Sequence, residues 1–165
     1  MRLRSFRLAV VQFLILVSLG GCCSVPRAET YFDRGSPINA LQAFAYAVDT
    51  AQYDFAYETL TPASQEAFTR SQFKMALRFG VTVPQVGESL RDVILRSERK
   101  RFRERFEDAS HVSYQIKYEA KDDVLWKGLV YLEREPEADA KAAGRVTRWL
   151  IDFKSTLAEW SKSTP

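Results

Sequence analysis

Ten residues in the second half of the chain alternate strictly between apolar and polar side chains. From His111 to Ala120, positions 112, 114, 116, 118 and 120 are apolar or aromatic, and the intervening positions are polar. A period of two places successive side chains on opposite faces of an extended strand. This segment is therefore predicted to be a strand with one buried face, and it makes the second half of the chain part of a sheet.

Two further runs predict neighbouring strands. Val124 to Glu133 is rich in aromatic and branched residues, with Gly128 as an expected bulge or bend. Arg145 to Lys154 is predicted to be a third strand, because Trp149, Ile151 and Phe153 share one parity. The charged stretch Glu135 to Gly144 between these strands is predicted to be a loop.

The first half carries start and stop signals of short helices. Ser36 and Thr61 each precede a proline, as expected of a cap followed by a first-turn proline. Thr69 with Gln72 three positions later resembles a capping box, and Gly80 is a natural end for that helix. Several short helices are predicted here instead of one long helix.

The stretch between these helices and the strands fits no single period well. Val81 to Gly87 contains a proline and a glycine and is predicted to be a loop. Glu88 to Asp108 is dominated by strong helix formers, so a helix is predicted there. Helices followed by a run of antiparallel strands predict a single α+β domain, with the helices packed on one face of the sheet.

The N-terminus has the layout of an export signal. Arg2, Arg4 and Arg7 precede the apolar run Leu8 to Leu19. Twelve helical residues span about 18 Å, whereas the hydrocarbon core of a bilayer is about 30 Å thick. A charged start, a short apolar run and small residues predict a cleaved signal peptide.

The end of that run, Leu19-Gly20-Gly21-Cys22, resembles the bacterial lipobox. The resemblance implies that residues 1–21 are removed and that Cys22 is acylated, which makes the membrane a partner through the N-terminal lipid. The alternatives are an uncleaved anchor or an ordinary secretory signal. If Cys22 is acylated, Cys23 is expected to be a free thiol or a second acylation site. In a source with two membranes, residue 23 is not the aspartate of an inner-membrane retention signal. By resemblance to such sorting patterns, an outer-membrane lipoprotein of the bacterial cell envelope that faces the periplasm is expected.

Cleavage also removes the excess of positive charge. Of the 24 basic residues three lie in the signal, which leaves 21 against 21 acidic residues. A neutral exported protein is not expected to bind nucleic acid. The predicted organisation is a signal peptide over 1–21, a lipid-anchored tether over 22–35 and a domain over 36–154. Residues 155–165 are expected to be a tail or a short helix around Leu157 and Trp160.

Small and aromatic residues of the first half carry a second resemblance. They are Ala40-Leu41-Gln42-Ala43-Phe44, Ala47, Tyr53-Asp54, Ala56-Tyr57, Leu60, Pro62 and Phe68, followed later by Trp149-Leu150-Ile151. This pattern is similar to the nuclear-transport-factor-2-like superfamily. The resemblance implies a strongly curved antiparallel sheet wrapped around helices into a cone. Because the superfamily includes enzymes, binding modules and assembly domains, the fold alone assigns no function.

Large rings on the predicted strands are candidates for lining a ligand cavity. The candidate ligand-facing residues are Tyr114, Tyr118, Trp126, Tyr131 and Trp149. Apolar pockets with a few hydroxyl groups suit small amphipathic ligands. The alternative is that most of these rings form the core between sheet and helices.

A dense basic stretch is a candidate for contact with an anionic surface. It consists of Arg96, Arg99, Lys100, Arg101, Arg103 and Arg105. Arginine can hold phosphate groups bidentately, so phospholipid or lipopolysaccharide phosphates are the partners to consider. The alternative is a solvated helix face.

Residues for catalysis are scarce. The single histidine, His111, falls on the polar parity of its strand, and both cysteines lie at the anchor. No phosphate loop, nucleophile elbow or metal-ligand spacing occurs, so no catalytic residue, metal or cofactor is expected. An enzyme would need a carboxylate from the helices, such as Asp49, Asp54 or Glu58.

The predicted function is a non-catalytic binding or assembly module for an envelope protein or an apolar ligand. The alternatives are a small hydrolase, isomerase or dehydratase that uses the cone, or a purely structural envelope protein.

Overall fold

The computed structural model describes residues 25–84, 86–97, 108–119 and 125–162, and for residues 103–106 it describes the strand alone. Helices in the first half precede an antiparallel sheet, so the predicted α+β class is confirmed. A 3₁₀ turn, Ala28–Thr30, comes first. The helices are α1 (Pro37–Asp49), α2 (Tyr53–Glu58), α3 (Pro62–Ala67), α4 (Arg70–Phe79), α5 (Leu90–Arg96), α6 (Glu137–Ala142) and α7 (Phe153–Lys162). The strands are β1 (Thr82–Val83), β2 (Glu88–Ser89), β3 (Arg103–Phe106), β4 (His111–Glu119), β5 (Leu125–Arg134) and β6 (Trp149–Asp152).

The predicted helix caps of the first half are confirmed. The side chains of Ser36 and Thr61 accept hydrogen bonds from backbone N–H groups at the starts of α1 and α3. Thr69 and Gln72 form both bonds of a capping box at the start of α4. Gly80, with a φ of 79°, ends that helix in the left-handed region that glycine enters without strain. These signals act within one turn and need no tertiary partner.

The main sheet has the order β3-β4-β5-β6, with every neighbouring pair antiparallel. The strand predicted from strict alternation is confirmed as β4, and its apolar parity is buried. In register, Val112 lies opposite Leu132 and Tyr118 lies opposite Trp126. The inner face of the sheet and the helices share one core, which contains Phe44 of α1.

Helix α7 covers the part of β5 that β6 is too short to reach. Strand β6 pairs only with residues 131–134 of β5. At the last pair of this ladder, the Tyr131 N–H donates to Oγ1 of Thr156 at 3.1 Å. Nε1 of Trp160 donates to the Leu129 carbonyl at 2.8 Å. Side chains of α7 therefore take the place of a neighbouring strand and satisfy edge groups that would otherwise be open.

The described part of the expected tether lies against the domain. Ala28 is fully buried. The Pro26 carbonyl accepts from the hydroxyl of Tyr46 at 3.2 Å and from Nε2 of Gln52 at 2.9 Å. The Trp149 N–H donates to the carbonyl of Arg34 at 2.9 Å. From residue 26 onwards the chain is thus part of the folded body.

The prediction of one helix from Glu88 to Asp108 is wrong. Helix α5 covers only Leu90–Arg96, after which Ser97 adopts an extended backbone, and Arg103–Phe106 is strand β3. Phe102 and Phe106 are four positions apart, a spacing that fits both a helix face and one face of a strand. The helix propensity of arginine and glutamate amounts to tenths of a kcal/mol per residue. Pairing with β4 outweighs that preference.

Three further boundaries differ from the predictions. The loop Val81 to Gly87 contributes strand β1, which pairs with β2. The predicted loop from 135 to 144 contains helix α6, whose Ala140 is buried. The predicted third strand, from 145 to 154, shortens to Trp149–Asp152, and Phe153 begins α7. The ring of Phe153 packs edge-on against Phe73 at 5.3 Å, so its burial comes from the helices.

Gly128 forms neither a bulge nor a bend. It keeps the regular register of the ladder opposite Ile116. A Cβ atom at this position would overlap the ring of Trp126 and would lie 2.8 Å from its Cζ2 and Cζ3 atoms. The glycine is therefore required by a side chain that lies across it on the same strand.

Candidate functional site

A narrow cavity lies between the inner face of the sheet and the helices. It has a volume of about 30 Å³ and is lined by side chains of α1, α5, β4, β5, β6 and α7. Its walls include Phe44 of α1, Ile116 of β4 and Val130 of β5. The volume is enough for about one or two water molecules and is far below the roughly 300 Å³ at which small-molecule pockets begin.

The hydroxyl and indole groups around this inner cavity are already engaged. The Ser97 hydroxyl donates to the carbonyl of Val93. The Thr156 hydroxyl donates to the Asp152 carbonyl at 2.8 Å and also accepts from β5. Trp160 donates its indole N–H to β5. These hydrogen bonds lie within the protein and stabilise the walls of the cavity, so these groups are not available as donors to a ligand.

Four of the five candidate ligand-facing rings lie in the core and do not line the inner cavity. Tyr114, Tyr118, Trp126 and Trp149 are each at most 8% exposed. The Trp126 ring meets Trp160 edge-on at 5.1 Å. The sequence places these rings on one sheet face, but only packing shows that they fill the space there.

The fifth candidate, Tyr131, lies in a groove on the other side of the sheet. This outer groove runs between the outer face of β4–β6 and α7, and its volume is about 390 Å³. Its charged side chains are His111, Glu133, Asp152, Glu159 and Lys162. With three carboxylates against one ammonium group and one imidazole, the outer groove carries a net negative charge in either protonation state of His111.

His111 is half exposed at one end of the outer groove, as its polar parity predicts. Its Nδ1 lies 2.9 Å from Oδ2 of Asp108. Hydrogen bonds from the Ser110 side chain and backbone, and from His111, hold the pKa of Asp108 well below its usual range. Because that carboxylate stays ionised and only accepts, Nδ1 is the protonated ring nitrogen. This turn fixes the orientation of the imidazole.

The basic stretch does not form one helix face. Arg96 ends α5, and its guanidinium carbon lies 5.6 Å from the centre of the Tyr118 ring. Arg103 and Arg105 belong to β3. Arg99, Lys100 and Arg101 lie outside the described residues. The alternative interpretation, that these residues form the solvated face of one helix, is therefore wrong. Contact with an anionic surface stays a prediction.

The carboxylates considered for catalysis lie on the surface of the helices. Asp54 accepts from Lys74 Nζ at 2.7 Å and from Arg70 at 3.1 Å. Glu58 also accepts from Arg70, at 3.3 Å. Asp49 is exposed at the end of α1. Hydrogen bonds from Lys74 and then Arg70 lower the pKa of Asp54, as expected of a solvated ion-pair network.

A buried carboxylate that the sequence analysis missed pairs with two arginines that lie between α6 and β6. Glu135 is 6% exposed and pairs with Arg145 and Arg148, the latter at 3.4 Å between Nε and Oε2. Burial, followed by repulsion from Arg148, lowers the pKa of Arg34 to about 10. Arg34 also stacks over Phe55 at 5.3 Å. No local pattern marks Glu135, because its partners lie 10 and 13 positions later, across α6 and the loop before β6.

Groups that would hold a metal ion are not found in the described ranges, where no three histidine, cysteine or acidic residues cluster suitably. Among the same residues, no helix is both long and apolar enough to cross a membrane. Comparison of the chain with protein-family models, with curated proteins and with solved structures gave no match. The resemblances to the lipobox and to the nuclear-transport-factor-2-like superfamily stay predictions.

Proposed function

We propose that this chain is a lipid-anchored lipoprotein of the bacterial cell envelope and that its domain is a non-catalytic binding module for another envelope protein. The lipobox-like segment Leu19 to Cys22 supports the anchor. The size of the inner cavity, about 30 Å³, is the observation that favours a protein partner over an apolar ligand. A core with this little space binds through its surface.

The outer groove is the surface that best fits such a partner. It is more than ten times larger than the inner cavity, at about 390 Å³. Its lining includes three carboxylates and one lysine, namely Glu133, Asp152, Glu159 and Lys162. Complementary charge guides protein association, so the partner that fits this groove presents lysine or arginine side chains.

The anchor is tested by acyl labelling of the full chain in cells. The variant Cys22→Ala is expected to lose the label completely and to accumulate as the precursor that retains residues 1–21. Cys23→Ala is the matched control, because it alters the neighbouring thiol and leaves the lipobox intact. Labelling that persists in Cys22→Ala would rule out this anchor.

The binding surface is tested by photo-cross-linking in cells. A photoreactive amino acid replaces Ala158, which is exposed in the outer groove, or Ser71, which is exposed on α4. We expect a discrete cross-linked adduct from position 158. Its yield should fall at least several-fold when the substitution Glu133→Gln is added. Adducts of equal yield from both positions, or no effect of Glu133→Gln, would contradict the assignment of this groove.

A further inference from the structure

We infer that the domain rests directly on the lipid surface that holds Cys22, with the side that carries the 3₁₀ turn Ala28–Thr30 facing the headgroups. The inference rests on the proposed lipid anchor. It adds the orientation of the domain and the reach of its binding surface.

Among the described residues, Pro26 is the contact with the domain that lies nearest to Cys22 in the sequence. Its carbonyl accepts two hydrogen bonds, from Tyr46 at 3.2 Å and from Gln52 at 2.9 Å. The Ala28 N–H donates to Oε1 of Gln52 at 3.3 Å, and the Ala28 side chain is fully buried. These bonds fasten the chain to the C-terminal end of α1.

A second fastening lies eight residues later. The Arg34 carbonyl accepts from the N–H of Trp149 at 2.9 Å, and the Arg34 side chain lies over Phe55. Separating residues 26–34 from the domain would break these contacts and expose Ala28 to water. This segment therefore moves with the domain and does not act as a tether.

Only four residue steps join Cys22 to Pro26. At 3.3 to 3.6 Å per residue, a fully extended chain covers at most about 14 Å. A domain of this length has a diameter of roughly 35 Å, from a radius of gyration of about 14 Å. The connection is thus shorter than the domain is wide, and the far side of the domain cannot turn to the lipid.

The surface at this point has side chains that suit a headgroup region. Tyr31 and Val25 are 59% and 55% exposed. The Tyr31 ring meets the Tyr46 ring edge-on at 5.7 Å, within a cluster that also contains Phe32. Aromatic rings with a polar tip favour the interface between lipid and water. Arg27 is exposed beside them, where it meets lipid phosphate groups.

This orientation restricts the partner. A domain held within about 14 Å of the headgroups cannot reach a protein on the opposite side of the periplasm. The partner of the outer groove is therefore a protein embedded in the same membrane or bound to its surface.

The orientation is tested with lipidated full-length protein in vesicles of phosphatidylethanolamine and phosphatidylglycerol. Cys23→Ser removes the neighbouring thiol, so that the fluorophore reacts at one introduced cysteine. That cysteine is Thr30→Cys or, as the distant control, Leu125→Cys, and both positions are exposed. Leu125 lies at the far end of β5 from Arg134, about 30 Å along the strand. Arg134 pairs with Trp149, the residue that contacts Arg34. Quenching by a headgroup spin-labelled lipid reports proximity to the membrane.

We expect at least two-fold stronger quenching at position 30 than at position 125. Inserting 20 glycine and serine residues between Ser24 and Val25 extends the connection to roughly 27 Å on average. That insertion should lower the quenching at position 30 to the level at position 125.

Equal quenching at both positions, or stronger quenching at position 125, would overturn the inferred orientation while the anchor stands. Quenching at position 30 that the insertion leaves unchanged would overturn the argument that the short connection imposes this orientation. Mass spectrometry of the same samples checks acylation of Cys22. Absence of the acyl groups would overturn the anchor itself and, with it, the orientation.

Discussion

Among the glycines of the described residues, Gly128 is the one at which an added methyl group meets the closest contact. The added Cβ would overlap the Trp126 ring, and it would approach the Cζ2 and Cζ3 atoms to 2.8 Å. Trp126 cannot simply swing outward, because it is 8% exposed and packs against Trp160 in the core. The substitution Gly128→Ala therefore forces a large ring out of its position or bends the central strand.

The expected cost follows from two contributions. Overpacking of a core by one methyl group costs about 1 to 3 kcal/mol. Loss of the edge-on pair between Trp126 and Trp160 removes about 0.5 to 1.5 kcal/mol more. Together they predict a loss of about 1.5 to 4.5 kcal/mol from the free energy of unfolding. Alanine has the better β propensity of the two residues, so local preference alone would predict a slight gain.

Urea denaturation of the full chain, followed by tryptophan fluorescence, measures this loss. The control is the pair of variants with Trp126→Leu, with and without Gly128→Ala. Once the indole is absent, the added methyl group should cost less than about 1 kcal/mol. The double variant is therefore expected to lose less stability than the sum of the losses of the two single variants. A neutral Gly128→Ala variant, or an equal cost in both backgrounds, would refute the argument that the Trp126 ring requires this glycine.

Two further predictions concern charged groups. Glu135→Gln is expected to lower the free energy of unfolding by about 2 kcal/mol. This is below the roughly 3 to 5 kcal/mol of a fully buried pair, because Arg145 is partly exposed. The control Glu66→Gln, at an exposed position, should change the free energy of unfolding by less than about 0.5 kcal/mol. An equal effect of both variants would contradict the role of the buried carboxylate. Asp54 has a lowered pKa, so its ion pairs stabilise the fold above the unfolded-state pKa of about 3.9 and this contribution is lost as the pH falls further. Thermal unfolding at pH 6 and pH 3 should therefore show a smaller loss of stability in Asp54→Asn than in the unaltered chain, and identical losses would contradict this assignment.

The features that could be predicted from the sequence are those whose partners lie close by in the chain. Thr69 and Gln72 cap the same helix turn, and Gly80 ends that helix through its own backbone conformation. The alternation in β4 was sufficient because a half-buried strand sorts its side chains by parity alone. The α+β class follows from the order of these local signals.

Strand β3 and the candidate site depended on long-range contacts. Arg103–Phe106 has the composition of a helix, and only the open edge of β4 makes it a strand. The aromatic side chains Tyr114, Tyr118, Trp126 and Trp149 were assigned to the correct strands, but parity cannot tell a filled core from an open pocket. The volume left between sheet and helices depends on how all the side chains pack together.

By itself, the sequence determined the helix caps, the buried face of β4 and the α+β class, because each is encoded within a few neighbouring residues. It also holds the lipobox-like segment, whose four residues are adjacent in the chain. Tertiary structure alone decided that Gly128 supports a tryptophan ring, that Glu135 holds Arg145 and Arg148, and that the chain is fastened from Pro26. The two partners of the Pro26 carbonyl lie 20 and 26 positions along the chain, a separation at which no local pattern records the contact.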